Sequence, residues 1–357
     1  MLRFPISRRR LLKGSAAAAL AAPAAFATRV LAQAPAAEAI TPALVEAARK
    51  EGRLAFYTAM DIPVAERFAK AFEARYPGIA VRVERAGSER LYQRIDQERG
   101  SNISAVDVAN SADAAHFIVW KRNGWLAPYL PEEVARHFPA SYRDADGMYV
   151  TTRIWLSSIG YNTRLVTAAE APKSFADLLD PKWMGKMVKA HPAYSGTIMT
   201  ETFQIARDLG WEYLERLSRQ RIMQVQSSTD PPKKLAAGER AVMADGNDYN
   251  LIQLKEQGAP VEVVYPTEGT PLISGPSAVF RTAPNPNAAR LFYSWLHGIE
   301  AQQILVDFAA QHSVHAQAQA KPGRRKLSDI KLMRDDPAGV ERTAEEIKAR
   351  YAQIFKI

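Results

Sequence analysis

The sequence predicts an α/β chain whose two lobes each hold a sheet covered by helices. Three observations point there. Strand and helix patterns alternate from Arg53 to Asn123, the rhythm of a sheet covered by helices. A second alternating set runs from Met187 to Pro266, after an unusually long extended run from Tyr149 to Thr163. The 357 residues exceed one ordinary core and suggest two domains.

Each element has a local reason. Pro42 to Lys50 reads as an amphipathic helix that Gly52 ends. Arg53 to Thr58 is aromatic and alternating, hence a strand. Val64 to Tyr76 places Ala65, Phe68, Ala69 and Phe72 on one helical face, and Pro77-Gly78 breaks it. Ile79 to Arg85 is the second strand, Tyr92 to Glu98 a helix, and Ala105 to Ser111 a short buried strand. The helix Ala114 to Asn123 closes at Gly124. Pro128, Pro131 and Pro139 then interrupt the rhythm.

The run Tyr149 to Thr163 is too long for one strand and is expected to pass between the lobes. Beyond it come a strand at Met187 to Pro192, a helix from Thr197 and a helix from Trp211 to Gln220. A strand follows within Ala236 to Asp245, then a helix from Asn250 to Gly258 and strands at Pro260 to Pro266 and Gly275 to Thr282. Asn287 to Ala310 is one strong helical pattern carrying Ala288, Leu291, Phe292, Trp295 and Leu296. Lys321 to Arg325 reads as a basic loop, and Glu341 to Phe355 as a final amphipathic helix.

Hydrophobic residues make up 47% and charged residues 24%, a globular composition. The absence of cysteine excludes disulfides, thiolate metal sites and a Cys nucleophile. The net charge of +9 would suggest a nucleic-acid partner if it were evenly spread, but six basic residues and no acidic one precede Gln33. Without them the charge is +3, and no nucleic-acid partner is expected. Ser7 to Lys13 is followed by the weakly apolar run Gly14 to Ala27, with small residues for cleavage near Val30-Leu31-Ala32 or after Ala34. The run is too short and Ala-rich to span a bilayer. It resembles a twin-arginine export signal, with Leu11 where Phe is usual. The expectation is a removable signal peptide over 1–32 and a periplasmic protein folded before export.

Two α/β lobes joined by a long strand form a clamshell, and ligands of such sheets sit at the carboxyl ends of the strands. Those ends carry Thr58, Gly87-Ser88, Asn110-Ser111, Ser195-Gly196-Thr197 and Asp245-Gly246-Asn247. Several precede a helix, whose free N–H groups favour an anion.

Five segments together carry a family resemblance: Val106 to Phe117, Ile159 to Val166, Phe175 to Thr197, Tyr265 to Leu296 and Gly323 to Met333. They resemble the extracellular solute-binding proteins of ABC importers, in the ferric-iron/polyamine-like cluster with the two-crossover clamshell. That resemblance implies a type II periplasmic-binding-protein fold, each lobe a mixed sheet flanked by helices. It places lobe 1 at 33–156 plus 272–310, lobe 2 at 157–271, and a tail at 311–357 packing on both. It also implies a monomer that captures a small-molecule ligand, then docks on a membrane permease driven by an ATPase.

The iron-binding members use adjacent tyrosines, with a His and an acidic residue from the first lobe. Here only Tyr249 stands at the tyrosine pair, flanked by Asp248 and Asn250, and Asp61 falls near the His position. A ferric ion as transported ligand is the alternative, with Asp61, Asp248, Tyr249 and Glu268 as its oxygen donors. The first reading is an organic anion or zwitterion (phosphonate, phosphate ester or carboxylate) with no cofactor and no bound metal. Thr58, Ser88, Ser111, Ser195, Gly196, Thr197 and Asn247 would offer hydroxyls and N–H groups to the anion. Arg85, Arg90 or Arg153 would supply a bidentate cation, Asp113, Asp245 and Glu268 would meet an amine, and Trp155 or Tyr249 would cover the carbon skeleton.

Plainer readings stand beside these. Ser195 and Asp113 fit helix N-caps, Arg153 and Glu268 fit solvated or ion-paired surface positions, and Trp155 fits hinge packing. His312 and His315 are expected to be exposed, and Asp335-Asp336 to lie in a solvated loop. Ser328 and Lys331 match a nucleophile spacing only by chance, and no nucleophile elbow, zinc pair or phosphate loop occurs. An enzyme is therefore not expected. An exported enzyme or a ligand-presenting sensor remains a further alternative.

Overall fold

A computed structural model describes residues 34–356 and divides ten strands between two sheets. The leader expected at 1–32 lies outside the described residues. The first sheet holds β1 (Arg53–Thr58), β2 (Ala80–Arg85), β3 (Val108–Asn110), β4 (Val150–Leu156) and β10 (Leu272–Val279), in the order β2-β1-β3-β10-β4. The second holds β5 (Ile159–Asn162), β6 (Met187–Ala190), β7 (Met223–Val225), β8 (Val242–Met243) and β9 (Val261–Val264), in the order β7-β6-β8-β5-β9.

Each sheet is mixed because the chain crosses between them twice. The long run leaves the first sheet as β4, passes through Ser157-Ser158, and enters the second as β5. It returns from β9 to β10, which runs antiparallel to both β3 and β4, while β1 lies parallel to β2 and β3. In the second sheet β6 is parallel to β7 and β8, and β5 is antiparallel to β8 and β9.

Helices cover both sheets. α1 (Pro42–Glu51) is capped by the Thr41 hydroxyl and stops at Gly52, whose φ is 68°. α2 (Ile62–Arg75) buries the predicted face of Ala65, Phe68, Ala69 and Phe72. Phe56, Phe72, Phe292 and Trp295 interlock there, with Phe72 edge-on to Phe292 at 5.1 Å. Each such side chain contributes about 1.5–3 kcal/mol by leaving water. α3 (Ser88–Gly100), α4 (Ala115–Arg122) and α5 (Glu132–His137) complete the first run of the chain. α6 (Gly196–Asp208), α7 (Trp211–Ser218), α8 (Asp230–Ala236) and α9 (Asp248–Glu256) belong to the second sheet, whose core gathers Phe175, Trp183, Met187, Leu214 and Val242.

Several expectations change. The single helix over Asn287 to Ala310 is two, α10 (Pro286–Leu296) and α11 (Ile299–Asp307), separated at Gly298. The strand expected within Ala236 to Asp245 shrinks to Val242–Met243, because α8 ends at Ala236 and the chain then turns at Ala237-Gly238, where Gly238 has a φ of 75°. The final helix, α12 (Pro337–Phe355), starts four residues early because Asp336 accepts from the Gly339 N–H at 2.9 Å. Asp335 is not in a solvated loop: Ser274 donates to it at 2.6 Å, and burial pushes its carboxyl up to about 6. His315 is buried rather than exposed, stacked on His137 with centroids 4.9 Å apart and 3.2 Å from Glu133.

α12 spans both lobes. Its Glu341 and Lys348 pair with Arg122 and Glu89 at 2.9 and 3.1 Å, while its Tyr351 hydroxyl accepts from Lys189 at 2.7 Å.

Candidate ligand-binding cleft

Two helix starts face each other across the boundary between the sheets. β2 ends at Arg85, and Gly87 leads into α3 with Ser88 in its first turn. From the other side β6 leads to Ser195, whose hydroxyl accepts from the Ile198 N–H at 3.5 Å, and α6 begins with Gly196-Thr197. Gly87, Ser88, Ser195 and Thr197 all line one polar pocket. Helix N-termini leave backbone N–H groups unsatisfied and favour negative charge.

The lobes are closed on this pocket. Arg90 donates to Gln226 at 2.9 Å, Asn250 to Asp61 at 2.8 Å, and Gln253 to the Phe308 carbonyl at 3.1 Å, all between the lobes. The enclosed free space is about 20 Å³, the scale of a single water. Outside it, past Arg85, Ser227 and Thr229, a mouth of about 840 Å³ opens, lined also by Asp61, Lys233 and Gln253. Entry of a solute therefore requires the lobes to part.

Arg153, on β4, is the electrostatic centre of the pocket. It is 1% exposed, correcting the solvated or surface-paired expectation. β4 is buried along its whole length, and the guanidinium lies over the Trp155 ring, 4.4 Å from its centroid. Its Nε donates to Asn110 Oδ1 at 3.2 Å and its Nη1 to Gln311 Oε1 at 3.5 Å. Both acceptors are neutral, and no described carboxylate lies within ion-pairing distance. Burial pulls its pKa below the ordinary arginine value, while Tyr249 and the more distant Asp61 oppose that shift. The lining includes a second guanidinium, Arg85, and no carboxylate.

Of the predicted residues, Arg85, Gly87, Ser88, Arg153, Trp155, Ser195, Thr197, Asn247 and Tyr249 line this pocket. The others lie elsewhere. Thr58 is fully buried and donates to Asn110 at 3.5 Å. Ser111 meets His116 at 3.2 Å, and Asp113 accepts from the Ala115 N–H at the head of α4. Gly196 is packed against Asp113 and Ser88. Asp245 is spent on a buried ion pair with Lys189, at 2.7 Å. Glu268 accepts from the Phe175 and Ala176 N–H groups at 3.1 and 3.0 Å. Ser227, Ser228 and Thr229 line the pocket and were missed. Their signal was a run of hydroxyls directly before Asp230-Pro231-Pro232, a helix start.

The alternative ferric donors do not form one set. Asp248 Oδ1 accepts from the Leu156 and Tyr249 N–H groups, and burial raises its carboxyl to about 7. Burial also raises the Tyr249 phenol far above its ordinary value, opposing a phenolate. Asp61 lines the mouth, and Glu268 lines neither pocket.

Residues 53–308 match the family model for bacterial extracellular solute-binding proteins. The probable ABC transporter periplasmic-binding protein y4fP of Sinorhizobium fredii is 25% identical over 80% of this chain and 81% of its own length. The structure of AfuA from Actinobacillus pleuropneumoniae, with fructose-6-phosphate bound, superposes with a TM-score of 0.78 at 25% identity, covering 86% of this chain and 99% of AfuA. Iron-bound HitA from Pseudomonas aeruginosa shares the fold with a TM-score of 0.73 at 22% identity, over 85% of this chain and 99% of HitA.

Proposed function

This chain belongs to the bacterial extracellular solute-binding protein family and is the periplasmic solute-binding component of an ABC importer; we propose that its solute is a small organic oxyanion. A phosphate ester or phosphonate, with or without an amine, suits the cleft best. The observation that carries this reading is Arg153, a buried guanidinium held by neutral partners beside two helix N-termini. A buried charge without a counter-charge is costly, and an anion entering the pocket removes that cost. The hydroxyls of Ser88, Ser195, Thr197, Ser227, Ser228 and Thr229 supply further donors, and the mouth receives the organic remainder. AfuA, bound to a sugar phosphate, supports the same class.

Capture is a population shift. The open state admits the solute to one lobe, and contacts from the other lobe favour closure. The closed form then docks on its permease, which an ATPase drives. The protein acts as a monomer, reaches the periplasm through its twin-arginine leader and needs no cofactor.

A thermal-shift screen over phosphate esters, phosphonates, carboxylates, polyamines and ferric citrate tests the reading, since a ligand raises the melting temperature by mass action. The oxyanion esters should give the largest shifts. A shift with ferric citrate alone, accompanied by a tyrosinate charge-transfer band, would reverse the assignment.

A further inference from the structure

Arg153 is held in place without being neutralised. Asn110 cannot present anything but its carbonyl oxygen to the guanidinium, because its Nδ2 donates to the Pro276 carbonyl at 2.9 Å and to Ser277 Oγ at 3.0 Å. The second holder, Gln311, is 3% exposed and follows α11. It is delivered by Ala310, whose φ of 56° is left-handed, a conformation disfavoured for a residue with a Cβ. The turn is fixed further by reciprocal backbone bonds between His312 and Ile154, at 2.8 and 2.9 Å, one residue from Arg153. A strained turn, pinned to the neighbour of the arginine, thus brings an amide where a carboxylate of the same length would fit.

We propose that Gln311 is a specificity-determining positioning residue: by fixing Arg153 through a neutral oxygen it keeps two guanidiniums, the buried Arg153 and the exposed Arg85, in a pocket lining that holds no carboxylate, and so selects a doubly charged oxyanion over a singly charged one. This rests on the oxyanion reading and deepens it. Two cations and no carboxylate in the lining are matched in charge by the dianion of a phosphate monoester or phosphonate. A carboxylate or a phosphodiester carries a single charge and leaves one of the two guanidiniums, the buried Arg153 or the exposed Arg85, unmatched. Gln311 acts through Arg153 and needs no contact with the solute.

Calorimetry of the full mature chain with methyl phosphate and dimethyl phosphate at pH 8 tests it, the first probe being a dianion there and the second a monoanion. The wild type should prefer methyl phosphate by roughly tenfold or more. Gln311→Glu, which gives Arg153 a carboxylate partner, should reduce that preference by roughly tenfold to a hundredfold. Gln311→Met, which removes the holder without adding charge, should weaken both probes while keeping their ratio near that of the wild type. Equal ratios in the Glu and Met variants, or a wild-type ratio in the Glu variant, would overturn the proposal. Should Gln311→Glu not fold, Gln311→Asp sets the carboxylate one methylene back, and the same ratio decides. If neither probe binds the wild type and Arg153→Met leaves solute binding intact, the oxyanion reading itself fails. If the wild type binds both probes equally, only the inference about Gln311 fails.

Discussion

Gly196 of the second lobe rests directly on Asp113 of the first: a Cβ added at Gly196 would lie 2.7 Å from Asp113 Cβ and 3.0 Å from Ser88 Cβ. No side chain fits in that gap, so full closure depends on the hydrogen atom that glycine carries there. Gly196→Ala is expected to fold normally, because the clash exists only between closed lobes. Solute affinity should fall roughly tenfold or more, since closure supplies the second lobe's contacts. Calorimetry measures the loss, and small-angle scattering should show a larger radius for the liganded variant than for the liganded wild type. Unchanged affinity would mean that the lobes close differently around solute.

Arg153→Met should separate stability from function. It removes a buried charge with no carboxylate partner, so the unliganded melting temperature should hold or rise. The melting-temperature gain produced by phosphate esters in the wild type should disappear. A fall in unliganded stability by several degrees would show that Arg153 is a structural prop.

Lys189 and Asp245 form the opposite case, an ion pair buried on both sides, with 4% and 1% of their side chains exposed. Neighbouring Glu201 is buried, and burial, with the Asp245 charge beside it, raises its carboxyl well above the ordinary range. Lys189→Met leaves Asp245 uncompensated and should lower unfolding free energy by about 3 kcal/mol or more. The double variant Lys189→Met with Asp245→Asn should recover part of it. Chemical denaturation reads both, and equal instability of single and double variants would contradict the pairing.

Asp248 predicts a pH effect. Burial raises its carboxyl to about 7 in the folded chain, against about 3.9 when unfolded. The folded state holds a proton that the unfolded state has released, so this group's contribution is full below about 4 and is lost as pH rises through 7. Stability of Asp248→Asn relative to the wild type should therefore improve between pH 4 and 8, by a few kcal/mol at most, since each tenfold change in proton affinity is worth about 1.4 kcal/mol. Denaturant midpoints across that range measure it. A flat difference between the two proteins would exclude the raised carboxyl.

Much of this was legible from residue order. The faces of α2 and α10, the stop at Gly52 and the long run that becomes β4 and β5 follow from local periodicity and turn chemistry. Ser88, Ser195 and Thr197 were legible for the same reason, because hydroxyls before a helix have a local cause that places them at the strand ends. Asp245 and Glu268 were not, since an acidic residue after a strand looks the same whether a ligand, a lysine or a backbone N–H awaits it.

By itself the sequence determined the α/β alternation, the two lobes and the polar helix starts that face the cleft, because each is written in spacings of a few residues. Arg153 is the reverse. It read both as a candidate cation for the anion and, more plainly, as a solvated or surface-paired arginine, and only packing decided that it is buried. Its neutral holders lie 43 residues before it and 158 after it. Whether a charge is compensated depends on atoms brought together across such distances, and no local pattern records them.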